Sequence, residues 1–184
     1  MKRSILFLTL FAFTSACESS SNSGTTDEVQ NEISENEIGE EKLPCDLISE
    51  AEIKSICGIP DSVEGTIELK ERTYSSCFYK WEEFTYNRVM EMGGMDVNIP
   101  IPAEMSIVPV KNVTDDMFET STAVYKDGET ISGLGDRAIW GTQMSQLTFL
   151  SNGQMIHLHL DVSADKTANR EMAIKIATIL VNNL

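Results

Sequence analysis

The strongest constraint on the fold lies near the end of the chain, where two alternating apolar runs flank a short turn. The runs are LTFL from residue 147 and QMIHLHLDV from residue 154, and Ser151, Asn152 and Gly153 separate them. An Asn-Gly pair in this setting predicts a β-hairpin, because both residues accept the positive φ that a tight turn requires. Antiparallel strands therefore form at least part of the fold.

Helical patterns lie on either side of the strand-like segments. Ser49 and Glu52 have capping-box spacing, and Gly58 predicts the end of that first helix. Apolar residues recur at helical spacing through residues 164–184, which predicts a closing helix. Thr114 is positioned to cap a short helix that runs through Phe118.

Strand-like runs occupy residues 65–70, 74–81 and 85–92, and a Gly93-Gly94 turn follows the last of them. Residues 95–101 are extended in character, and Pro100 and Pro102 suit an edge strand or a loop. This order of elements predicts an α+β fold in which the N-terminal and C-terminal helices pack on one face of an antiparallel sheet.

The N-terminus has the composition of an export signal. Lys2 and Arg3 precede a run of nine mostly apolar residues from 5 to 13, and the small residues 14–16 come before Cys17. The apolar run is too short to span a bilayer, which requires about 20 residues. Residues 1–16 are therefore predicted to be a signal peptide.

Cys17 and its surroundings resemble the lipobox of bacterial lipoproteins. The resemblance implies that the Cys17 thiol carries a diacylglycerol, that cleavage occurs in front of it, and that acyl chains such as palmitate anchor the protein. Two or three acyl chains hold a protein stably, since each buried methylene contributes about 0.8 kcal/mol. The alternative is ordinary secretion, with Cys17 a free or paired thiol.

The next segment is strongly acidic. Residues 18–42 contain eight acidic side chains, one basic side chain and no aromatic residue. With Cys17, this segment (17–42) is predicted to be a disordered tether, and residues 43–184 a single domain. Without Lys2 and Arg3 the chain has 12 basic and 29 acidic residues, a net charge of −17. This balance argues against binding nucleic acid or docking electrostatically on anionic lipid.

Export also permits disulfides among the remaining cysteines. Cys45 and Cys57 lie at opposite ends of the first predicted helix, about 12–18 Å apart, whereas a disulfide needs Cα atoms within about 7 Å. Cys45–Cys77 and Cys57–Cys77 remain open. The spacing contains no C-x-x-C pair, so a cysteine metal site is not predicted.

His157, His159 and Asp161 alternate along one predicted strand and would share a face. They are weak candidates for a metal site, and we predict a solvent-facing strand surface instead. Neither a catalytic signature nor a cofactor is predicted. Residues 133–138, GLGDRA, match a dinucleotide fingerprint, but no βαβ unit surrounds them, which favours a backbone turn.

Two further clusters have both a functional and an ordinary interpretation. The acidic pairs Glu82-Glu83 and Asp115-Asp116 are interpreted as solvated surface, since neither has the rhythm of a calcium loop. Methionines crowd the middle of the chain and suit either an adaptable binding surface or a core. We predict core for this set, which is Met90, Met92, Met95, Met105 and Met117.

Three motifs carry a wider resemblance. PCDLISEAEIKSICG, CFYKW and GLGDRAIWG, followed by the hairpin and the closing helix, resemble a group of actinobacterial lipoproteins of unknown function. They are also similar to the extracellular sensor domains of some mycobacterial receptor kinases. The resemblance implies a curved antiparallel α+β sheet, a Cys45–Cys77 disulfide and a binding or sensing role. Residues 82–112 have no counterpart in it, so it implies no ligand contacts.

Together these observations predict a bacterial cell-envelope lipoprotein, anchored in the membrane through its lipid, with its domain in the periplasm or on the exterior. The predicted role is non-catalytic binding or sensing of a protein or a small apolar ligand. The alternatives are an envelope hydrolase and a structural or assembly subunit of an envelope complex. A deep pocket that brings together an acid, an imidazole and a nucleophile would favour the hydrolase, and a shallow apolar patch would favour binding.

Overall fold

The computed structural model describes residues 42–184, which form three α-helices and seven strands. The predictions of a signal peptide, of lipidation at Cys17 and of an acidic tether fall outside these residues, except for Lys42. The helices are α1 (Glu50–Cys57), α2 (Asp115–Thr122) and α3 (Lys166–Asn183). The strands are β1 (Thr66–Lys70), β2 (Ser76–Met92), β3 (Met95–Val110), β4 (Gly128–Thr130), β5 (Arg137–Gly141), β6 (Gln146–Ser151) and β7 (Gln154–Asp161).

The strands form one open antiparallel sheet in the order β1-β2-β3-β7-β6-β5-β4. The N-terminal strands β1 to β3 and the C-terminal strands β4 to β7 each form a meander, and β3 pairs with β7 where the two meet. The predicted α+β fold is confirmed, because helices from both ends of the described region accompany this sheet.

Local sequence signals explain where the elements begin and end. The Ser49 side chain accepts from the Glu52 backbone N–H while the Glu52 side chain accepts from the Ser49 backbone, so the predicted capping box is present. Gly58 ends α1 in the left-handed conformation at φ 68°. Asn152 and Gly153 join β6 to β7 with φ values of 52° and 71°, as a primed hairpin turn requires.

Both faces of the sheet carry helices. The main core lies between the sheet and helices α1 and α3, and Trp81, Trp140 and Phe149 are fully buried there. On the opposite face, Phe118 of α2 packs against Val110 and Met155. The predicted short helix therefore exists and extends to Thr122, and it covers the face that the terminal helices leave open.

A disulfide joins the segment before α1 to strand β2. Cys45 and Cys77 are bonded, with their Cα atoms 5.1 Å apart. The pairing implied by the resemblance is therefore present, and the alternative Cys57–Cys77 is wrong. Cys57 is a buried free thiol at the end of α1, and burial raises its pKa to about 12. None of the helices within residues 42–184 has the length and hydropathy needed to cross a membrane.

One prediction about the strands is wrong. Residues 74–81 and 85–92 were expected to be separate strands, whereas β2 runs unbroken over 17 residues. The irregularity that suggests a break is a bulge: Trp81 pairs with Ala103 and Thr85 with Pro102, so residues 82–84 have no partner on β3. A bulge interrupts the pairing without ending the strand.

Candidate functional site: a projecting hairpin arm

The histidine strand does not form the open surface that its alternation predicted. His157 and His159 are half-buried and Asp161 is buried. The expectation of a solvent-facing surface is wrong for Asp161, because side chains of β2 and α3 surround it. The three side chains also do not act together, because His157, His159 and Asp161 each form hydrogen bonds with different partners.

The two imidazoles have distinct environments. His157 Nδ1 lies 2.8 Å from Thr148 Oγ1, and that hydroxyl lies 2.6 Å from Tyr125 Oη. Burial lowers the pKa of His157, which favours the neutral ring. His159 Nδ1 lies 3.0 Å from the Met144 carbonyl oxygen, and its Nε2 lies 3.5 Å from Glu104 Oε1.

Asp161 is the centre of a charged cluster at the end of β7. Arg88 donates to its Oδ2 atom, and Lys166 Nζ and Asn169 Nδ2 lie 3.5 and 3.4 Å from its Oδ1 atom. Burial alone would raise the pKa of Asp161, but hydrogen bonds from Tyr86 and Arg88 and the charge of Lys166 outweigh it and lower the pKa. Asp161 is therefore an ionised carboxylate, and it connects β2 with α3 by accepting hydrogen bonds from both.

The described residues contain no group of three or more His, Cys, Asp or Glu side chains arranged to hold a metal ion. A groove of about 780 Å³ opens beside the start of the described region. Its walls include Tyr74, Lys111, Gln154 and Asn183, and no Asp, Glu, His or Cys side chain lines it. This groove therefore offers neither an acid nor an imidazole side chain for the site that the hydrolase alternative requires.

The GLGDRA segment is a backbone turn that leads into β5, as predicted. Gly133 and Gly135 have φ values of 77° and 56°, and the Asp136 N–H donates to the Leu150 carbonyl oxygen at 2.8 Å. At Gly135 a Cβ atom would lie 2.3 Å from that same carbonyl oxygen. The glycine is therefore needed both for its conformation and for the close approach of β6.

Both acidic pairs are exposed, as the sequence predicts. Glu82 lies in the bulge and pairs with Lys80 at 2.5 Å. Asp115 and Asp116 begin α2, where acidic side chains are favoured by the helix dipole. Asp115 therefore matches solvated surface, whereas Asp116 is exposed and also borders a cavity between α2 and β7.

The methionine prediction is wrong for four of the five residues. Only Met105 is buried, at 1% exposure, whereas Met90, Met92 and Met95 are 45, 55 and 68% exposed. Met117 is 37% exposed. The first three lie at the far end of β2 and β3, beyond the part of the sheet that the helices cover.

These methionines belong to a projecting β-hairpin that we call the arm, residues 85–102. Its strands pair from Thr85↔Pro102 to Met92↔Met95 around the Gly93-Gly94 turn. β1 pairs with β2 only up to Lys80, and β7 pairs with β3 only from Glu104, so the arm has no further strand on either side. At about 3.3 Å per residue, eight paired positions extend roughly 25 Å.

The bulge decides which side chains lie on each face of the arm. Trp81 faces the main core together with its partner Ala103. The bulge adds three residues to β2 and none to β3. Because side chains alternate with a period of two, the core face of β2 carries odd-numbered residues before the bulge and even-numbered residues after it. As a result Tyr86, Met90 and Met92 lie on the same face of the ribbon as the core, opposite Ile101, Val97 and Met95.

We call this surface the arm face, and it continues the core face of the sheet beyond the helices. Exposure increases along it, from half-buried Ile101 and Ile99 to Val97 at 37% and Met95 at 68%. The arm face consists of Tyr86, Arg88, Met90, Met92, Met95, Val97, Ile99 and Ile101. Large exposed apolar surfaces are more common at interaction sites than elsewhere on monomeric proteins.

Polar contacts hold the arm at its base. The Arg88 guanidinium bonds to both Tyr86 Oη and Asp161 Oδ2, and its central carbon lies 5.5 Å from the Tyr86 ring centroid. Asp161 in turn contacts Lys166 of α3. An isolated two-stranded ribbon is marginal in water, so this cluster contributes to fixing the arm relative to the domain.

The opposite face of the arm carries one exposed apolar side chain, Val89, and is acidic at its tip. Glu91 and Asp96 are directly cross-strand and exposed, and neither forms an ion pair within residues 42–184. Like charges in this arrangement destabilise a hairpin. Along β3, Pro100 and Pro102 lack N–H donors, which makes that edge a poor template for strand addition. The apolar face is therefore the part of the arm best suited to binding.

The architecture defines an α+β domain with one antiparallel sheet and a projecting apolar hairpin. Comparison with family models, curated proteins and solved structures finds no match for this chain. The resemblance to actinobacterial lipoproteins and receptor-kinase sensor domains therefore stays a prediction.

Proposed function

We propose that this chain is a lipid-anchored lipoprotein of the bacterial cell envelope, and that its domain is a non-catalytic binding module. We further propose that the arm face is its binding surface and that the occupant is another envelope protein. The observation that carries the proposal is the exposed arm face, which extends the core face of the sheet into solvent.

The exposed area is large enough to support specific binding. Met90, Met92, Met95 and Val97 together expose about as much as two complete apolar side chains. Burying one such side chain contributes about 1.5–3 kcal/mol, so the four contribute roughly 3–6 kcal/mol on docking. Methionine side chains adapt to an irregular partner surface at little cost in packing.

Charge indicates the chemistry of the partner. Residues 42–184 contain 12 basic and 21 acidic side chains, a net charge of −9, so a second copy of this chain is repelled. The Glu91–Asp96 pair lies at the tip on the opposite face of the ribbon from the methionines, so a partner that wraps around the tip would meet it as well. A groove lined by apolar residues and bordered by Lys or Arg would bury the arm face and neutralise this pair.

The proposed lipid anchor determines the compartment in which the domain would bind its partner. Acylation at Cys17 would hold the domain at a membrane, in the periplasm or on the exterior, with residues 18–42 as a spacer. The mass of the intact protein extracted from membranes tests the anchor directly. A mass increase for wild type that is absent in Cys17→Ser supports lipidation, and equal masses with equal membrane retention contradict it.

The arm is tested by crosslinking the full chain in its native membrane, followed by purification. Met92→Ser with Met95→Ser removes the equivalent of a little more than one exposed side chain, or about 2–4 kcal/mol of binding. This is a loss of affinity of roughly 30- to 700-fold. The matched control is Met144→Ser with Val124→Ser, which removes comparable exposed area at 45 and 60% exposure outside the arm.

Recovery of one partner with wild type and the control, but not with the arm variant, supports the proposal. Equal recovery with all three proteins refutes it. Glu91→Gln with Asp96→Asn should reduce the salt dependence of the same complex. If the Cys17→Ser protein binds protein-free liposomes through the arm, the occupant is a membrane and the proposed protein partner is wrong.

One feature also suits the alternative of an assembly subunit, because a projecting arm can bridge two components. The same crosslinking distinguishes the roles. A single soluble or membrane partner indicates binding or sensing, whereas recovery of a stable multi-subunit complex indicates assembly.

A further inference from the structure

A second cavity lies on the opposite face of the sheet from the main core, and the proposed function of the arm does not involve it. It has a volume of about 300 Å³ and lies between α2 and the start of β7. Its walls include three side chains that can ligate a metal through sulfur or nitrogen, namely Met117, Met155 and His157. The other side chains that line it are Tyr74, Val110, Asp116, Thr120 and Ser121.

The fold brings these three donors together from two elements. Met155 and His157 are two apart on β7 and therefore lie on the same face of the sheet, which is the face that α2 covers. Met117 stands in the first turn of α2, next to Phe118, which packs against Met155. Met155 is 2% exposed and Met117 is 37% exposed, so the cavity is closed at its base and open at its mouth.

The imidazole is held in the way that metal-binding histidines are held. Its Nδ1 atom contacts Thr148 Oγ1 at 2.8 Å and the Gln146 side-chain nitrogen at 3.3 Å. Thr148 is fully buried and contacts Tyr125 Oη at 2.6 Å, so an outer pair of hydroxyls orients the ring. A bound ion at Nε2 would place the proton on Nδ1, which then donates to Thr148. The Gln146 side-chain nitrogen is itself a donor, so it would have to turn away from the protonated Nδ1.

The donor set selects the ion. Thioether sulfur is a soft ligand that favours Cu(I) over the harder divalent ions. Two thioethers and a neutral imidazole carry no charge, so a monovalent ion is easier to place in this partly buried cavity than a divalent one. Asp116 also borders the cavity and balances a single positive charge. We propose that Met117, Met155 and His157 form a binding site for Cu(I).

The first experiment measures Cu(I) affinity of the full chain under anaerobic conditions, by competition with a chromophoric chelator. Cys17→Ser and Cys57→Ala provide the background, because Cys45 and Cys77 are bonded to each other and no free thiol then remains. Met117→Leu keeps the volume of the side chain and removes the sulfur. It should lower the affinity at least tenfold, since losing even an outer partner of a metal ligand costs 10- to 100-fold.

Met144→Leu is the matched control, because it removes an exposed thioether outside the cavity and should leave the affinity unchanged. Equal affinities for Met117→Leu, Met144→Leu and their background would overturn the proposal. So would a preference of the same site for Zn²⁺ over Cu(I).

The second experiment uses Ag(I) as a redox-inert substitute for Cu(I), in the same Cys17→Ser, Cys57→Ala background so that no free thiol competes for silver. Methionine ε-methyl NMR signals of this protein are followed during titration. Of the chain's nine methionines, Met117 and Met155 should shift first and saturate together at one equivalent. If the exposed arm methionines shift at the same silver concentration, binding is non-specific and the site is refuted.

Discussion

Removing the Cys45–Cys77 disulfide tests how this domain is held together. The bond connects residue 45, just before α1, with the fully buried Cys77 of β2 across a sequence separation of 32. It therefore ties the helix layer to the sheet at the start of the fold. Cys45→Ala with Cys77→Ala removes the link without introducing a buried hydroxyl group.

The expected cost follows from the length of the closed loop. In the chain-entropy model a loop of this length stabilises the folded state by roughly 3–4 kcal/mol. For a domain of this size, each kcal/mol corresponds to about 3–5 °C in Tm. The double alanine variant should therefore lose roughly 10–20 °C in Tm. The surface exposed on unfolding should increase, because the unfolded chain is no longer held compact by the crosslink.

Urea and thermal unfolding of the detergent-solubilised full chain, followed by circular dichroism, measure this change. All proteins carry Cys57→Ala, so that the buried free thiol cannot exchange with the disulfide, and Cys57→Ala alone is the reference. A loss below about 1 kcal/mol would refute the reasoning, because it would mean that the loop is already constrained in the unfolded chain.

Two further perturbations test the turn before β5 and the base of the arm. Gly135→Ala should destabilise the domain by at least 2 kcal/mol more than Gly133→Ala. Both glycines have positive φ, but only at Gly135 would a Cβ atom meet a carbonyl oxygen, at 2.3 Å. Equal unfolding free energies for the two variants would contradict this. Asp161→Asn should cost roughly 1.5–3 kcal/mol at pH 7. Since the folded pKa of Asp161 is lowered, its contribution is complete above the unfolded value and is lost as the pH falls through the folded pKa. The two unfolding free energies should therefore converge as the pH falls through the folded pKa of Asp161, and a gap that persists once the carboxylate is protonated would show that its charge is not responsible.

Signals that act within one turn of chain were readable from the sequence. The Ser49–Glu52 capping box, the Gly58 stop and the Asn152-Gly153 hairpin depend on hydrogen bonds and φ values of adjacent residues. They form where the sequence predicts them, because little else in the fold competes with them.

The arm face was harder to predict, because methionine content does not distinguish a core from an exposed face. The alternation in residues 85–92 and 95–101 was visible, and the prolines indicated an unpaired edge. The bulge at residues 82–84 determines which side chains of these two segments lie on the same face. Its effect on the facing of Met90 and Met92 depends on the register between strands, which no single segment specifies.

The cavity beside His157 was missed for a similar reason. The sequence pointed to His157, His159 and Asp161 together, since they alternate on one strand. In the folded chain Met117 comes to His157 from a helix 40 positions earlier, while Arg88 and Lys166 engage Asp161. Contacts between distant segments thus separate residues that are neighbours in the strand.

The amino-acid sequence alone therefore determined the class of the fold, the helix caps and the tight turns, because these depend on side chains a few positions apart. Tertiary structure alone decided which methionines are exposed, where the arm leaves the sheet and which donors share a cavity. The physical reason is that strand register, bulges and helix placement minimise the free energy of the whole domain, and local preference does not specify them.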